Sequence, residues 1–74
     1  YPNPVRKILH IDFNQFVDQV VIEIFDMDGK YMTSLKDKDI STLSVDVREF
    51  SPGTYFFKIS IGGREALYRI IIAN

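Results

Sequence analysis

Ser51-Pro52-Gly53-Thr54-Tyr55-Phe56-Phe57-Lys58-Ile59-Ser60-Ile61 is the stretch whose reading decides the fold class. It opens on a Ser-Pro-Gly corner, where Pro presets one turn dihedral and Gly accepts the positive φ that tight turns require. Tyr55, Phe57, Ile59 and Ile61 then recur at every second position, with Lys58 and Ser60 between them. Alternation of aromatic and β-branched residues is the pattern of a half-buried strand, not a helix. Gly62-Gly63 follows as a two-residue hairpin signal, and the chain returns as residues 64–72. With those glycines as the loop, Ile59 falls opposite Ala66, Phe57 opposite Tyr68 and Tyr55 opposite Ile70. The other face pairs Lys58 with Leu67 and Phe56 with Arg69. Such cross-strand pairs contribute about 0.2–1 kcal/mol each, and a one-residue slip would turn the apolar set outward. The register is therefore well specified, and this hairpin is the last strand pair of an antiparallel sheet.

At 74 residues the sequence forms a single domain. A chain of this size buries only about 60% of its unfolded surface, so the core must be efficient. A hydrophobic content of 46% with 14% aromatics makes that feasible and argues against disorder. There is no cysteine to staple the fold, so it packs well enough alone or lives attached to something larger. A net charge of −1 with a pI near 5.7 gives no basic footprint for nucleic acid. No apolar run approaches the roughly 20 residues a spanning helix needs. The start at Tyr1, without Met or a signal-peptide pattern, leads us to expect a domain cut from a larger protein.

From the beginning, Tyr1-Pro2-Asn3-Pro4 is a stiff lead-in, because each proline pushes its predecessor toward extended geometry. Residues 5–13 alternate, with Leu9, Ile11 and Phe13 on one face and His10 and Asp12 on the other, and are expected as the first strand. Residues 14–19 are expected as a connection, anchored by Phe16 packing inward. Residues 20–25 form the second strand, apolar on both faces. It sits mid-sheet with both sides covered or shows one apolar face to a partner; the sequence leaves both open. Asp26-Met27-Asp28-Gly29-Lys30 is a hairpin turn, its Asp-Gly suited to type I′. The same Asp-x-Asp-Gly also opens an EF-hand loop, but position 30 is Lys, and no Glu occurs before Glu49 to close the coordination sphere. Residues 31–35 return as a strand, Lys36-Asp37-Lys38-Asp39 is expected as a solvated loop, and Leu43, Val45 and Val47 mark another strand. The total is six strands, or seven with a short addition at 1–4 or 40–42. Short strands between turn signals, with no helix, predict an all-β sandwich.

No catalytic constellation accompanies this framework. The single histidine, His10, lies on a polar strand face, and no serine sits in a nucleophile elbow. No His/Cys cluster has ligand spacing, no glycine-rich phosphate loop occurs, and the acids fall at turns and on polar strand faces. No cofactor or metal is called for. Composition and spacing thus describe a β-sandwich module without catalytic equipment.

Four landmarks, in order, add a resemblance over essentially the whole sequence. Tyr1-Pro2-Asn3-Pro4-Val5 is similar to a Tyr-Pro-Asn-Pro opening, and Asp26-x-x-Gly29-Lys30 to an Asp-x-x-Gly-Arg/Lys hairpin preceded by Val20-x-Ile22-x-Ile24. Phe50-x-x-Gly53-x-Tyr55-x-x-Lys58-Ile59 is similar to a Leu-x-x-Gly-x-Tyr strand, and Leu67, Arg69, Ile70, Ile71 and Ile72 belong to a final Ile-rich strand. Together they resemble the C-terminal sorting domain of the type IX (Por) secretion system of Bacteroidetes. The resemblance implies an immunoglobulin-like antiparallel β-sandwich ending a larger cargo protein. It implies an address rather than an enzyme: the cargo crosses the periplasm, and the outer-membrane translocon reads this domain. In many members a surface sortase then cuts upstream and joins the cargo to anionic lipopolysaccharide. The chain departs from the family at its end, which is Ala73-Asn74 rather than a basic residue. An edge strand at 67–72 would offer unpaired backbone groups to the translocon or to a second copy of the domain. The competing reading is an adhesive or carbohydrate-binding module, for which Tyr31, Phe56 and Tyr68 are the candidate aromatic platform.

Overall fold

A straight strand of 19 residues would be about 60 Å long, yet the molecule's longest dimension is 31 Å. The first strand is 19 residues long, so it folds back on itself, and that bend sets the architecture. The structure is a computed structural model and describes residues 4–74. It contains four strands: β1 (Ile8–Asp26), β2 (Tyr31–Asp46), β3 (Gly53–Ile61) and β4 (Arg64–Ile72). All pair antiparallel, in the order β2-β1-β3-β4.

The all-β antiparallel architecture is as the sequence predicts, but the strand count is four rather than six or seven. The expected connection at 14–19 lies inside β1, and the expected loop at 36–39 lies inside β2. Asp12 pairs with Thr42 and Val17 with Ile40, so Phe13, Asn14, Gln15 and Phe16 stand against Ser41 alone. This wide bulge is built by local chemistry. The Asp12 Oδ1 accepts the Asn14 N–H at 2.8 Å, and Asn14 takes a left-handed φ of 60°. Asn and Asp tolerate that conformation better than other side-chain-bearing residues. Because the bulge breaks the two-residue period, Phe16 points out and is 65% exposed instead of packing inward.

Beyond the bend, Ile8–Asp12 and the end of β2 form a short second layer. Leu9 pairs with Val45 and Ile11 with Leu43, while His10 and Ser44 point away. Leu9, Ile11 and Val45 join one buried cluster with Val20, Ile22, Ile24, Tyr55, Phe57, Ile59, Ile70 and Ile72 from the main sheet. Residues 20–25 lie in the middle of that sheet. Val20, Ile22 and Ile24 face the core, and Val21 and Phe25 stay half-buried on the outer face. Among the described residues no polar or charged side chain is buried.

The last hairpin has the register read from sequence: Ile59 opposite Ala66, Phe57 opposite Tyr68, Tyr55 opposite Ile70, Lys58 opposite Leu67 and Phe56 opposite Arg69. Gly62 and Gly63 have φ of 56° and 81°, the two positive values a type I′ turn needs. The other hairpin differs from expectation. Asp28 is not left-handed and only Gly29 is, at φ 83°, so the turn is not type I′. The Asp26 carboxylate holds it instead, its Oδ1 accepting the N–H groups of Asp28 and Lys30 at 2.9 Å each.

The first strand also begins later than read. Val5 is not part of β1 but forms a parallel bridge with Ile72, and Lys7 (φ 66°) turns the chain from one strand into the other. The fold makes one contrast measurable. Phe57→Ala removes a large, fully buried side chain and is expected to lower unfolding stability in urea by about 3–5 kcal/mol. Phe16→Ala, despite the same chemistry, is expected to change it by about 0.5 kcal/mol or less.

Candidate functional site

The sequence motifs, far apart along the chain, meet at one end of the sheet. Asp26 pairs with Tyr55, and Tyr55 with Ile70, in a single row across β1, β3 and β4. One step further out Gly53 pairs with Ile72, and Ile72 bridges to Val5. The Asp26–Lys30 turn, the Gly53–Tyr55 corner, the end of β4 and the Pro4–Val5 lead-in therefore share one edge of the molecule. Tyr1, Pro2 and Asn3 lie outside the described residues.

Most of these residues have an identifiable structural task. Tyr55 is buried, its hydroxyl donates to the Ser51 carbonyl at 2.7 Å, and its ring meets Phe50 edge-on at 5.3 Å. That is the device of a tyrosine corner, which pins a turn to the strand that follows it. Gly53 has a φ of 154°, outside the range side-chain-bearing residues normally adopt. It lets the chain leave the corner directly into β3. Asp26 and Gly29 make the hairpin turn, and Ile70 and Ile72 are core. Lys30 contributes its backbone N–H to the same turn.

A second group faces outward. Lys58 bridges Glu23 at 3.2 Å and Glu65 at 3.9 Å, and its ammonium lies 5.9 Å from the centre of the Phe25 ring. The hydrogen bond that Lys58 donates to Glu23, the charge of Glu23, and then the charge of Glu65 hold the lysine above the usual ammonium range. Beside this ladder Leu67 is 63% exposed and Ile71 39% exposed, with Arg69 exposed between them. All three lie on the sheet's outer face, since they pair with Lys58, Thr54 and Phe56.

Asn74 is the residue that sequence reading missed. Its Nδ2 donates to the carbonyls of Val47 (2.6 Å) and Phe50 (3.1 Å), and its Oδ1 accepts the Lys7 N–H at 2.9 Å. One amide thus ties the end of β4 to the lead-in and to the β2–β3 connection. Its partners are 24 to 67 positions away, so no local pattern could reveal it. At the same connection Asp46 is clasped by Arg48 at 2.6 Å, which brings its carboxyl down to about 2.

The other candidates are not assembled into sites. Tyr31 and Phe56 share the outer face, where Tyr31 stands edge-on to Phe25 at 6.0 Å. Tyr68 pairs with Phe57 on the opposite face, so the three aromatics form no common platform. His10 Nδ1 lies 3.0 Å from Ser44 Oγ on an exposed strand face. Among the described residues no hydrogen bond joins its ring to a carboxylate, and no cluster of three or more His, Cys, Asp or Glu could hold a metal.

A family model described as "Secretion system C-terminal sorting domain" matches residues 1–73. The chain belongs to this family, the type IX secretion C-terminal sorting domains. A comparison with curated proteins finds no match. Sorting domains serve as cargo tails handled by the secretion machinery, and the family is in general non-catalytic. Membership implies passage through the periplasm to the cell surface or the extracellular space. The motif end of this sorting domain is held by the tyrosine corner, which gives a direct test. Tyr55→Phe keeps the ring and removes the 2.7 Å bond, and is expected to lower urea stability by about 1 kcal/mol.

Proposed function

We propose that this sorting domain is a non-catalytic address whose β4 strand is the part that the outer-membrane translocon reads, by adding a strand of its own. The observation that carries this reading is the asymmetry of the two sheet edges. Along β2 the edge carries Lys36, Asp37, Lys38 and Asp39, with Asp39 left-handed at φ 55°. Charges and irregular backbone are how proteins blunt an edge against pairing.

Among the described residues, the guard on edge β4 lies at its end. The Ile71 carbonyl accepts from Val5, and the Ala73 N–H donates to Val5, so both point away from β3. Backbone direction alternates along an antiparallel strand, and the N–H and C=O of Glu65 and Leu67 therefore leave the sheet on that same outer side. No strand among the described residues pairs with them. They offer a short template for β-augmentation, with Leu67 exposed beside it. In this reading the cargo precedes residue 1, the domain crosses the periplasm with it, and the motif residues from Asp26 to Ile72 act mainly by holding β4 in place. A sortase that cuts upstream and transfers the cargo to anionic lipopolysaccharide is the further step that the family resemblance supports.

The test is a periplasmic reporter fused ahead of this domain in a type IX-competent host. Deleting residues 66–74 is expected to trap the reporter in the periplasm. Leu67→Glu is the sharper variant, because an exposed substitution should alter stability by about 0.5 kcal/mol or less. It is expected to cut export about tenfold, as a loss of about 1.4 kcal/mol in recognition would. Normal export of both variants would contradict the proposal.

A further inference from the structure

The guarded end of β4 is held by the chain's own lead-in, and the way it is held points to a moving part. Val5 is fully buried, donates to the Ile71 carbonyl at 2.8 Å and accepts from the Ala73 N–H at 2.8 Å. Two residues on, the Lys7 N–H donates to Asn74 Oδ1 at 2.9 Å, and the Lys7 carbonyl accepts from Val47 at 2.7 Å. Between them the Ile8 N–H donates to the Arg6 carbonyl at 2.7 Å across Lys7, whose φ is 66°. A bond spanning two residues about a positive φ is the rare, strained form of γ-turn. Within the described residues the lead-in is thus clipped onto β4 by hydrogen bonds and one buried valine, against strain at Lys7.

From this geometry we infer that residues 4–7 are a strap competing with a docking strand for the outer edge of β4, so that full engagement of β4 peels the strap away and frees the chain upstream of Val5. The inference rests on the reading of β4 as the recognised strand and adds its regulation. Glu65 and Leu67 form the toehold, since their outward backbone groups lie beyond the strap. The occupant is an extended protein segment supplied by the export machinery. As it lengthens toward Ile71 it needs the carbonyl that Val5 now uses. Two strands cannot use that edge together, so strap release and docking are coupled. By linkage, whatever loosens the strap also favours docking. The junction between cargo and domain would then become accessible only after the address has been read, which gives cleavage its order.

The strap can be locked. Val5 and Ile72 are bridge partners, and neighbouring strands lie about 4.8 Å apart, within reach of a disulfide. In the reporter fusion, Val5→Cys with Ile72→Cys, oxidised in the periplasm, is expected to lower export about tenfold or more. Reductant is expected to restore export of the same double variant, so that only the crosslink differs between the two conditions. Export of the oxidised double variant at the wild-type level would overturn the strap. Failure of the wild-type fusion to export would instead strike the sorting reading beneath it.

A second measurement stands apart from export. In the purified domain, the amides of Val5, Lys7 and Ala73 are expected to exchange hydrogen faster than that of Phe57. Asn74→Ala should speed the first three about tenfold, and Lys7→Gly, which relieves the turn, should slow them. Exchange of all four at one common rate in every variant would overturn the strap whatever happens in the cell.

Discussion

Everything in this domain follows from the bend in β1. A 74-residue chain without cysteine must bury an apolar face on both sides of a core, and one twisted sheet cannot do so alone. The bulge opposite Ser41, fixed by the Asp12 carboxylate and the left-handed Asn14, folds the ends of β1 and β2 back over the sheet. Leu9, Ile11 and Val45 then close over Ile22, Phe57 and Ile59. Without that reversal those residues would stand in water, and the sheet's inner face would have no cover.

The same bend leaves the sheet with two unlike edges. β2 is a long outer strand, and its charged run stands in the paired segment rather than in a loop, which protects the edge while keeping the hairpin intact. β4 is protected differently, by a parallel bridge from Val5 and by the three hydrogen bonds of Asn74. The first is a permanent defence written in side chains. The second is made of separable contacts, which among the described residues gather at the end of the strand. A domain whose work is to be recognised needs an edge that stays soluble until it is met, and a removable cover supplies that.

How much of this was legible in the sequence depends on the range of the interaction. The 53–72 hairpin was readable to the residue pair, because strict alternation and Gly62-Gly63 fix face and register together. The bend was not readable: an Asx turn inside a continuous strand has the composition of a loop, and the inward placement of Phe16 extended a period that the bulge interrupts. Asp26 and Gly53 could be read as turn residues and Tyr55 as a strand residue, but not that Asp26 and Tyr55 share one row with Gly53 a step further out. The ties from Asn74 and Val5 escaped entirely, since each joins the two ends of the chain. The family resemblance named the domain's role from the motifs, and the structure gives Asp26, Gly29, Gly53 and Tyr55 their turn and corner tasks.

The central claim is that recognition happens along β4 and not along the opposite edge. Site-specific photo-crosslinking during export tests it most directly, with a photoreactive residue placed at Leu67 on β4 or at Met32 on β2, both exposed. The account predicts adducts with an outer-membrane component of the export machinery from position 67 and none from position 32. Adducts from position 32 alone, or equally from both, would contradict it.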